Sequence, residues 1–382
     1  MQRRIRMGMV GGGRGAFIGN VHRMAAQLDG SIELVCGALS SDPERASASA
    51  RDWFLPEDRS YGSFHEMFER ERERDDAMDF AAIVTPNHLH LPVAEAALRA
   101  GFHVMCDKPM THDVAEAERL VALVEETGLL FGLTHNYTGY PLVKEARQRV
   151  AEGELGAIRK VVVEYPQGWL AGPLEQDGQK QAAWRTDPAR AGAAGAMGDI
   201  GTHAANLAEY VTGLPIESVC ADLTAFVPGR RLDDDGNVLL RFADGARGVL
   251  YASQVSIDDE NALALRVYGE RGGLEWHQEE PNSLVLKWPD RPRQVLRTAS
   301  HGLGEAAARA ARLPAGHPEG FIEAFANLYR GFALGVAARL RGDQPPAEAG
   351  DVPTVHDGLR GMRFVEAVVA SSRSERKWTT LA

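Results

Sequence analysis

The chain has 382 residues, 44% of them hydrophobic and 25% charged, which is enough for two domains with their own cores and excludes wholesale disorder. A formal net charge of −11, with no basic stripe interleaved with aromatics, excludes nucleic acid as the expected partner. The three cysteines, Cys36, Cys106 and Cys220, are far apart beside apolar runs, which suits reduced thiols and neither a disulfide framework nor a thiolate zinc site.

No stretch approaches the roughly 20 apolar residues of a membrane helix. Near the start, Arg3, Arg4 and Arg6 lead into glycines rather than into an apolar leader segment, so a cytoplasmic location without membrane attachment is the expectation.

Ile5–Val10 reads as a strand that stops at Gly11-Gly12-Gly13-Arg14-Gly15. A helix over 20–28 and a second strand, Ile32–Cys36, follow. Strand, glycine turn, helix and strand form the unit that sets backbone N–H groups and a helix N-terminus against a pyrophosphate. Gly11, Gly13, Arg14, Gly15, Ala16, Phe17 and Ile18 are the candidate phosphate-holding residues, with Gly19 three residues beyond the usual third-glycine position. After the second strand, Ser40, Ser41, Asp42 and Arg45 stand where a ribose-binding carboxylate is normal. Hydroxyls and an arginine suit NADP, and Asp42 suits NAD, so the cofactor is NAD or NADP.

Helical spacing recurs over 46–54 and 63–72, the latter ending in the alternating run Glu69–Asp76, read as a solvated helix end. Phe80–Val84 and Phe102–Cys106 are short apolar runs, as in strands buried on both faces, with helices over 89–100 and 113–127 and a further strand over 129–134. The alternation predicts a doubly wound parallel sheet whose ligands sit beyond the strands' carboxyl ends. Thr85-Pro86-Asn87 and Asp107-Lys108-Pro109 fall on those ends, and the cofactor-lining set extends to Thr85, Pro86, Asn87, His90, Asp107, Lys108 and Asn136.

Beyond residue 134 the texture changes. A helix over 142–152 and a strand over 158–165 precede a stretch, 167–198, read as a long excursion without regular structure. A helix over 201–211 and six strands between 217 and 287 follow, with Asp244-Gly245 as a hairpin turn. Helices are expected over 305–313, 320–338 and 355–371. The reading is an α/β chain: a Rossmann-like domain over 1–134, then an α+β domain over 135–382 with an open, mostly antiparallel sheet. The last helix is a candidate to pack back across the domains. An open sheet needs a cover, which a homodimer or homotetramer would supply.

Hydride transfer from an alcohol carbon needs a proton acceptor and a donor near the oxygen. Lys108, at a strand's carboxyl end and stiffened by Pro109, is one candidate. Asp199 and His203, four apart at a helix start, are a second candidate: either a capping aspartate with an incidental histidine, or a proton-handling pair whose imidazole titrates near neutrality. The scattered histidines His22, His88 and His90 do not make a convincing metal set, and none is expected.

At these residues the chain resembles the Gfo/Idh/MocA oxidoreductases, the glucose–fructose oxidoreductase and inositol dehydrogenase group. Asp107-Lys108-Pro109 is similar to that family's Glu-Lys-Pro signature with the acid shortened. Val84–His90, and the run from Trp184-Arg185-Thr186-Asp187-Pro188 to Asp199-Ile200-Gly201-Thr202-His203, also match its pattern. The resemblance implies NAD(P)-dependent oxidation or reduction of sugars, inositols or related polyols. It makes Lys108 the residue that orients the reacting oxygen, His203 the acid/base and Asp199 its assistant. Tyr137, Tyr165, Trp169, Trp184 and Arg185 join Lys108, Asp199 and His203 as expected substrate-pocket residues, aromatics offering flat faces to a sugar ring. Alternatives are redox-neutral glycoside cleavage by oxidation and elimination, and a non-catalytic dinucleotide sensor.

Overall fold

The computed structural model describes residues 3–381; Met1, Gln2 and Ala382, which fall in the ranges read as the two domains, lie outside them. The chain divides into two compact units. One comprises Met1–Asn136 and Phe321–Leu359, the other Tyr137–Gly320 and Arg360–Ala382. Phe321–Leu359, read from sequence as part of the second domain, instead belongs with the first.

The first unit holds a five-stranded parallel sheet in the order β2-β1-β3-β4-β5. Its strands are β1 (Ile5–Gly11), β2 (Ile32–Ala38), β3 (Phe80–Val84), β4 (His103–Cys106) and β5 (Phe131–Leu133). All residues of β3 and β4 are buried, which explains their unbroken apolar sequence. Between them run α1 (Phe17–Gln27), α2 (Pro43–Asp52), α3 (Phe64–Glu71), α4 (His90–Arg99) and α5 (Val114–Thr127). Local chemistry sets several of these ends: Asp42, Ser63 and Asp113 cap α2, α3 and α5 through their side chains, and Gly128 closes α5 in the left-handed region. The helix Phe321–Arg341 buries Phe325, Tyr329, Phe332 and Val336 in one core with Met7, Met9 and Phe80. That apolar stripe is why the segment belongs to this unit.

The charge run is solvated as expected at Glu69, Arg70, Arg72, Glu73 and Asp75, but not at Glu71. Glu71 is fully buried and accepts hydrogen bonds from Arg59 Nε (3.0 Å), Tyr61 Oη (2.8 Å) and the Met78 N–H (3.0 Å), with a second guanidinium contact from Arg59. Periodicity cannot reveal this, because the partner arginine lies outside the run.

The second unit carries a nine-stranded sheet in the order β13-β12-β11-β10-β6-β9-β8-β7-β14. These strands are β6 (Ile158–Pro166), β7 (Ile216–Thr224), β8 (Asp235–Phe242), β9 (Arg247–Ser253), β10 (Ala264–Gly269), β11 (Gly273–His277), β12 (Ser283–Lys287), β13 (Gln294–Arg297) and β14 (Thr379–Thr380). The sheet is thus larger than the expected six strands. The additional β13 has no inward apolar face, and β14 is two residues long. Pairing is antiparallel except between β6 and β9. Helices α6 (Pro141–Ala151), α7 (Lys180–Arg185), α8 (Pro188–Ala191), α9 (Thr202–Thr212) and α10 (Glu305–Ala310) complete the unit with part of Val355–Ser372. The expected structureless excursion therefore contains two short helices, α7 and α8, each started by a side-chain cap, Gln179 and Asp187.

No helix among the described residues is long and apolar enough to cross a membrane.

Candidate active site

In the first unit the carboxyl ends of the parallel strands β1 to β5 deliver every expected cofactor-lining loop to one edge. Gly12 has φ +76°, the left-handed region open to glycine, and helix α1 starts at Phe17. Gly19 lies one turn into α1, where a Cβ would stand 2.2 Å from the Gly12 carbonyl oxygen. The displaced glycine is therefore the helix–strand packing glycine of the fingerprint, delivered by a longer turn. The turn closes through Gly13 N–H to Leu39 C=O (3.2 Å), Ala16 N–H to Gly13 C=O (3.0 Å) and Arg14 N–H to Ser49 Oγ (2.9 Å). The Arg14 side chain points to Asp52. No side chain caps α1, and its first turn holds no acid. An uncapped helix start behind a glycine turn fits a pyrophosphate.

Thr85 Oγ1 and Asn136 Nδ2 are buried without a hydrogen-bond partner, polar atoms that a bound dinucleotide can satisfy. At the end of β2, Ser40 Oγ accepts from Asp42 N–H (3.1 Å) and Asp42 Oδ1 accepts from Arg45 N–H (2.8 Å). Both side chains thus hold the turn into α2.

Asp107 is a hub. Its Oδ1 accepts from the Lys108 N–H and from Thr134 Oγ1, both at 2.9 Å. Its Oδ2 lies 3.9 Å from Nε2 of buried His22, whose Nδ1 meets Tyr329 Oη at 2.7 Å. The Lys108–Pro109 peptide is cis. His90, expected among the cofactor contacts, is 1% exposed. Its ring lies between Pro109 C=O (2.7 Å from Nδ1) and Thr85 C=O (2.9 Å from Nε2). The structure makes it a strut between the loops after β3 and β4. Burial lowers its pKa and that of His22.

In the second unit the glycine-rich run before His203 forms a π-turn, Met197–Gly201, continuing into α9. Asp199 sits inside this turn and is not its cap, which removes the capping alternative. The N-cap position is Ala196, without a side-chain cap, and the carboxylate of Asp233 accepts from Gly195 N–H (2.7 Å) and Met197 N–H (2.8 Å). Burial raises the Asp233 pKa against the opposing effect of these bonds. Asp199 Oδ2 accepts from Arg185 Nε (3.0 Å) and Gln254 Nε2 (2.9 Å). Arg185 also donates to Gln181 Oε1 (2.6 Å), with its guanidinium 4.2 Å from the Trp184 ring centre and 5.9 Å from that of Trp169.

His203, 6% exposed, packs edge-to-face on Tyr137 at 4.8 Å between ring centres and lies 6.4 Å from Tyr165. The two tyrosine hydroxyls bond each other. Tyr165 Oη also donates to Asn261 Oδ1 (2.7 Å), and Asn261 Nδ2 donates to Tyr137 Oη (3.2 Å). Gln167 donates to Asn261 Oδ1 (2.7 Å), and Trp169 Nε1 donates to Gln167 (3.1 Å). Burial pushes the Tyr137 hydroxyl up to about 12 and also raises that of Tyr165.

Asp199, His203, Tyr137, Tyr165, Trp169, Trp184 and Arg185 are thus linked in one cluster. Sequence reasoning did not find Gln167, Gln181, Asp233, Gln254 or Asn261. Only Asp233, in Asp233-Asp234-Asp235, stood in a distinctive pattern.

Fold and site define a protein with a Rossmann-type dinucleotide-binding unit and a second, α+β unit. A model of the oxidoreductase family with an NAD-binding Rossmann fold matches residues 5–135, and the GFO/IDH/MocA C-terminal domain matches 143–275. The chain belongs to the Gfo/Idh/MocA oxidoreductase family. It is 32% identical to the uncharacterized oxidoreductase YfiI of Bacillus subtilis (strain 168), covering 98% of this chain and 96% of that one. It is 26% identical to levoglucosan dehydrogenase of Pseudarthrobacter phenanthrenivorans, over 97% of each. An inositol dehydrogenase homolog from Azotobacter vinelandii, solved with NAD+, matches with a TM-score of 0.94 and 36% identity, covering 99% of this chain and 97% of that one.

Proposed function

We propose that this chain moves a hydride between NAD(P) and a hydroxyl-bearing carbon of a sugar, inositol or related polyol. The observation that carries the reading is the second unit's cluster, in which His203 shares a wall with Asp199, Arg185, two tryptophans and four side-chain amides. Planar amides, a carboxylate and flat aromatic faces are what a ring of neighbouring hydroxyls is recognised by. The similarity to inositol and levoglucosan dehydrogenases supports the same substrate class.

The bound nicotinamide supplies the hydride-accepting carbon. In oxidation, His203 is the residue assigned to take the hydroxyl proton and Lys108 the one assigned to favour the build-up of negative charge on oxygen. Arg185 and Gln254 keep Asp199 as a fixed acceptor for a neighbouring hydroxyl. The turn Gly11–Ile18, Thr85 and Asn136 are the residues assigned to the cofactor.

Inositols, aldoses and glycosides assayed by NAD(P)H absorbance test the reading. Lys108→Ala and His203→Ala should each lower kcat by roughly 10²–10³ while preserving the fold. Unchanged turnover in both would remove these two roles, and no turnover of any of these substrates by the wild type would leave a sensor as the better description.

The open sheet supports self-association. Leu239, Val249, Val162, Arg266, Glu275, Val285 and Val295 form one row across seven strands, with Leu239 46% and Val295 57% exposed. Light scattering should give a multiple of the 41.5 kDa chain, and Leu239→Glu with Val249→Glu should reduce it. A wild-type monomer at all concentrations would remove this part.

A further inference from the structure

We infer that Asn261 is a positioning residue for His203, acting through Tyr137 and Tyr165. Asn261 accepts from Tyr165 Oη at 2.7 Å and donates to Tyr137 Oη at 3.2 Å, and the two hydroxyls bond each other. Three side chains thereby close a hydrogen-bonded ring in which each hydroxyl has a donor and an acceptor role. Asn261 is itself anchored: its N–H donates to Glu279 Oε1 (2.9 Å) and its Oδ1 also accepts from Gln167 (2.7 Å).

The ring's other side is the imidazole. Tyr137 meets His203 edge-to-face and Tyr165 stands at 57° to it, so two rings pinned at their hydroxyls wall the histidine from different directions. The tyrosine walls thereby hold the plane of the His203 ring, and Asn261 holds the walls. This rests on the proposed acid/base role of His203 only for its kinetic consequence.

Titratable groups around the imidazole in this unit include Tyr137, Tyr165, and Asp199 with its partner Arg185. None is altered in Asn261→Leu, which keeps the side chain's branching at Cγ and removes the ring's third member. Full-length protein labelled with 15N-histidine, with the His203 signals assigned by their loss in His203→Gln, gives the tautomer and titration of the imidazole without any turnover.

Expected in Asn261→Leu are a shift of the His203 midpoint by half a pH unit or more and a fall in kcat of about tenfold, with KM changed less than twofold. Asn261→Asp, which retains an acceptor for Tyr165 and Gln167, should fall between Leu and wild type. It also serves if the leucine variant does not fold. Folded variants with the wild-type His203 tautomer and titration would overturn the inference. A shifted titration in a protein whose wild type turns over no polyol would refute the proposed function and leave the positioning role standing.

Discussion

A Cβ on Gly19 would stand 2.2 Å from the carbonyl oxygen of Gly12, so the first turn of α1 and the end of β1 meet backbone against backbone. Neither partner can yield by turning a side chain. Gly19→Ala should therefore push α1 away from the sheet and spoil the phosphate turn, costing about 1–3 kcal/mol of stability. NADH and NADPH affinity should both fall at least tenfold in a fluorescence titration. Wild-type affinity would show that the turn tolerates a displaced helix.

The end of β2 presents hydroxyls, with Asp42 occupied in capping α2. Ser40→Asp places a carboxylate where it repels a 2′-phosphate and can accept from ribose hydroxyls. The ratio of NADPH to NADH affinity should drop tenfold or more. An unchanged ratio would mean that residue 40 does not face the ribose.

His103 and His135 are buried, and burial pushes both pKa values down to about 4. His103 Nδ1 accepts the Leu130 N–H at 3.0 Å, a bond that protonation at this nitrogen destroys. Between the unfolded value of about 6.5 and the folded value, the unfolded chain binds protons that the folded chain refuses. The stability this contributes is complete above about pH 6.5. It is lost as the pH falls toward 4, at no more than roughly 1.4 kcal/mol per pH unit for each histidine. Urea midpoints measured from pH 7.5 to 5 should fall, and His103→Asn should flatten the slope by about one proton. A flat profile in the wild type would contradict the burial argument.

Arg59 and Glu71 form an ion pair whose carboxylate is wholly enclosed. Removing only the arginine, as in Arg59→Met, strands a buried charge and should cost about 3–5 kcal/mol. Arg59→Met with Glu71→Leu should cost less than the sum of the single changes. Additivity in thermal or urea unfolding would show that the two residues act independently.

The parallel strands and the phosphate turn were legible because their chemistry is local: apolar runs, glycines at a strand end, caps at helix starts. Lys108 and His203 could be singled out because each sits beside a rigid or glycine-rich segment. The partners of Asp199 could not be, since Gln254 is 55 residues away and Arg185 belongs to a short helix within a polar stretch. Asn261 was invisible for the same reason, lying 96 residues from Tyr165 and 124 from Tyr137. Glu71 was misjudged because alternating charge describes a helix end equally well whether its partner is solvent or an arginine twelve residues back. Phe321–Leu359 returns to the first unit through a packing stripe, and a stripe does not say which sheet it will meet.

The parallel pairing of β6 with β9 has a consequence for how substrate preference can change. Two neighbouring strands running the same way release their following segments side by side, so Gln167–Trp169 and Gln254 flank the same cluster although the chain travels through β7 and β8 between them. Each segment can lengthen or exchange residues while the ladder beneath keeps its register. The fold thereby separates the part that must stay constant, nine strands and a histidine on a helix, from two neighbouring rims free to drift toward new carbohydrates.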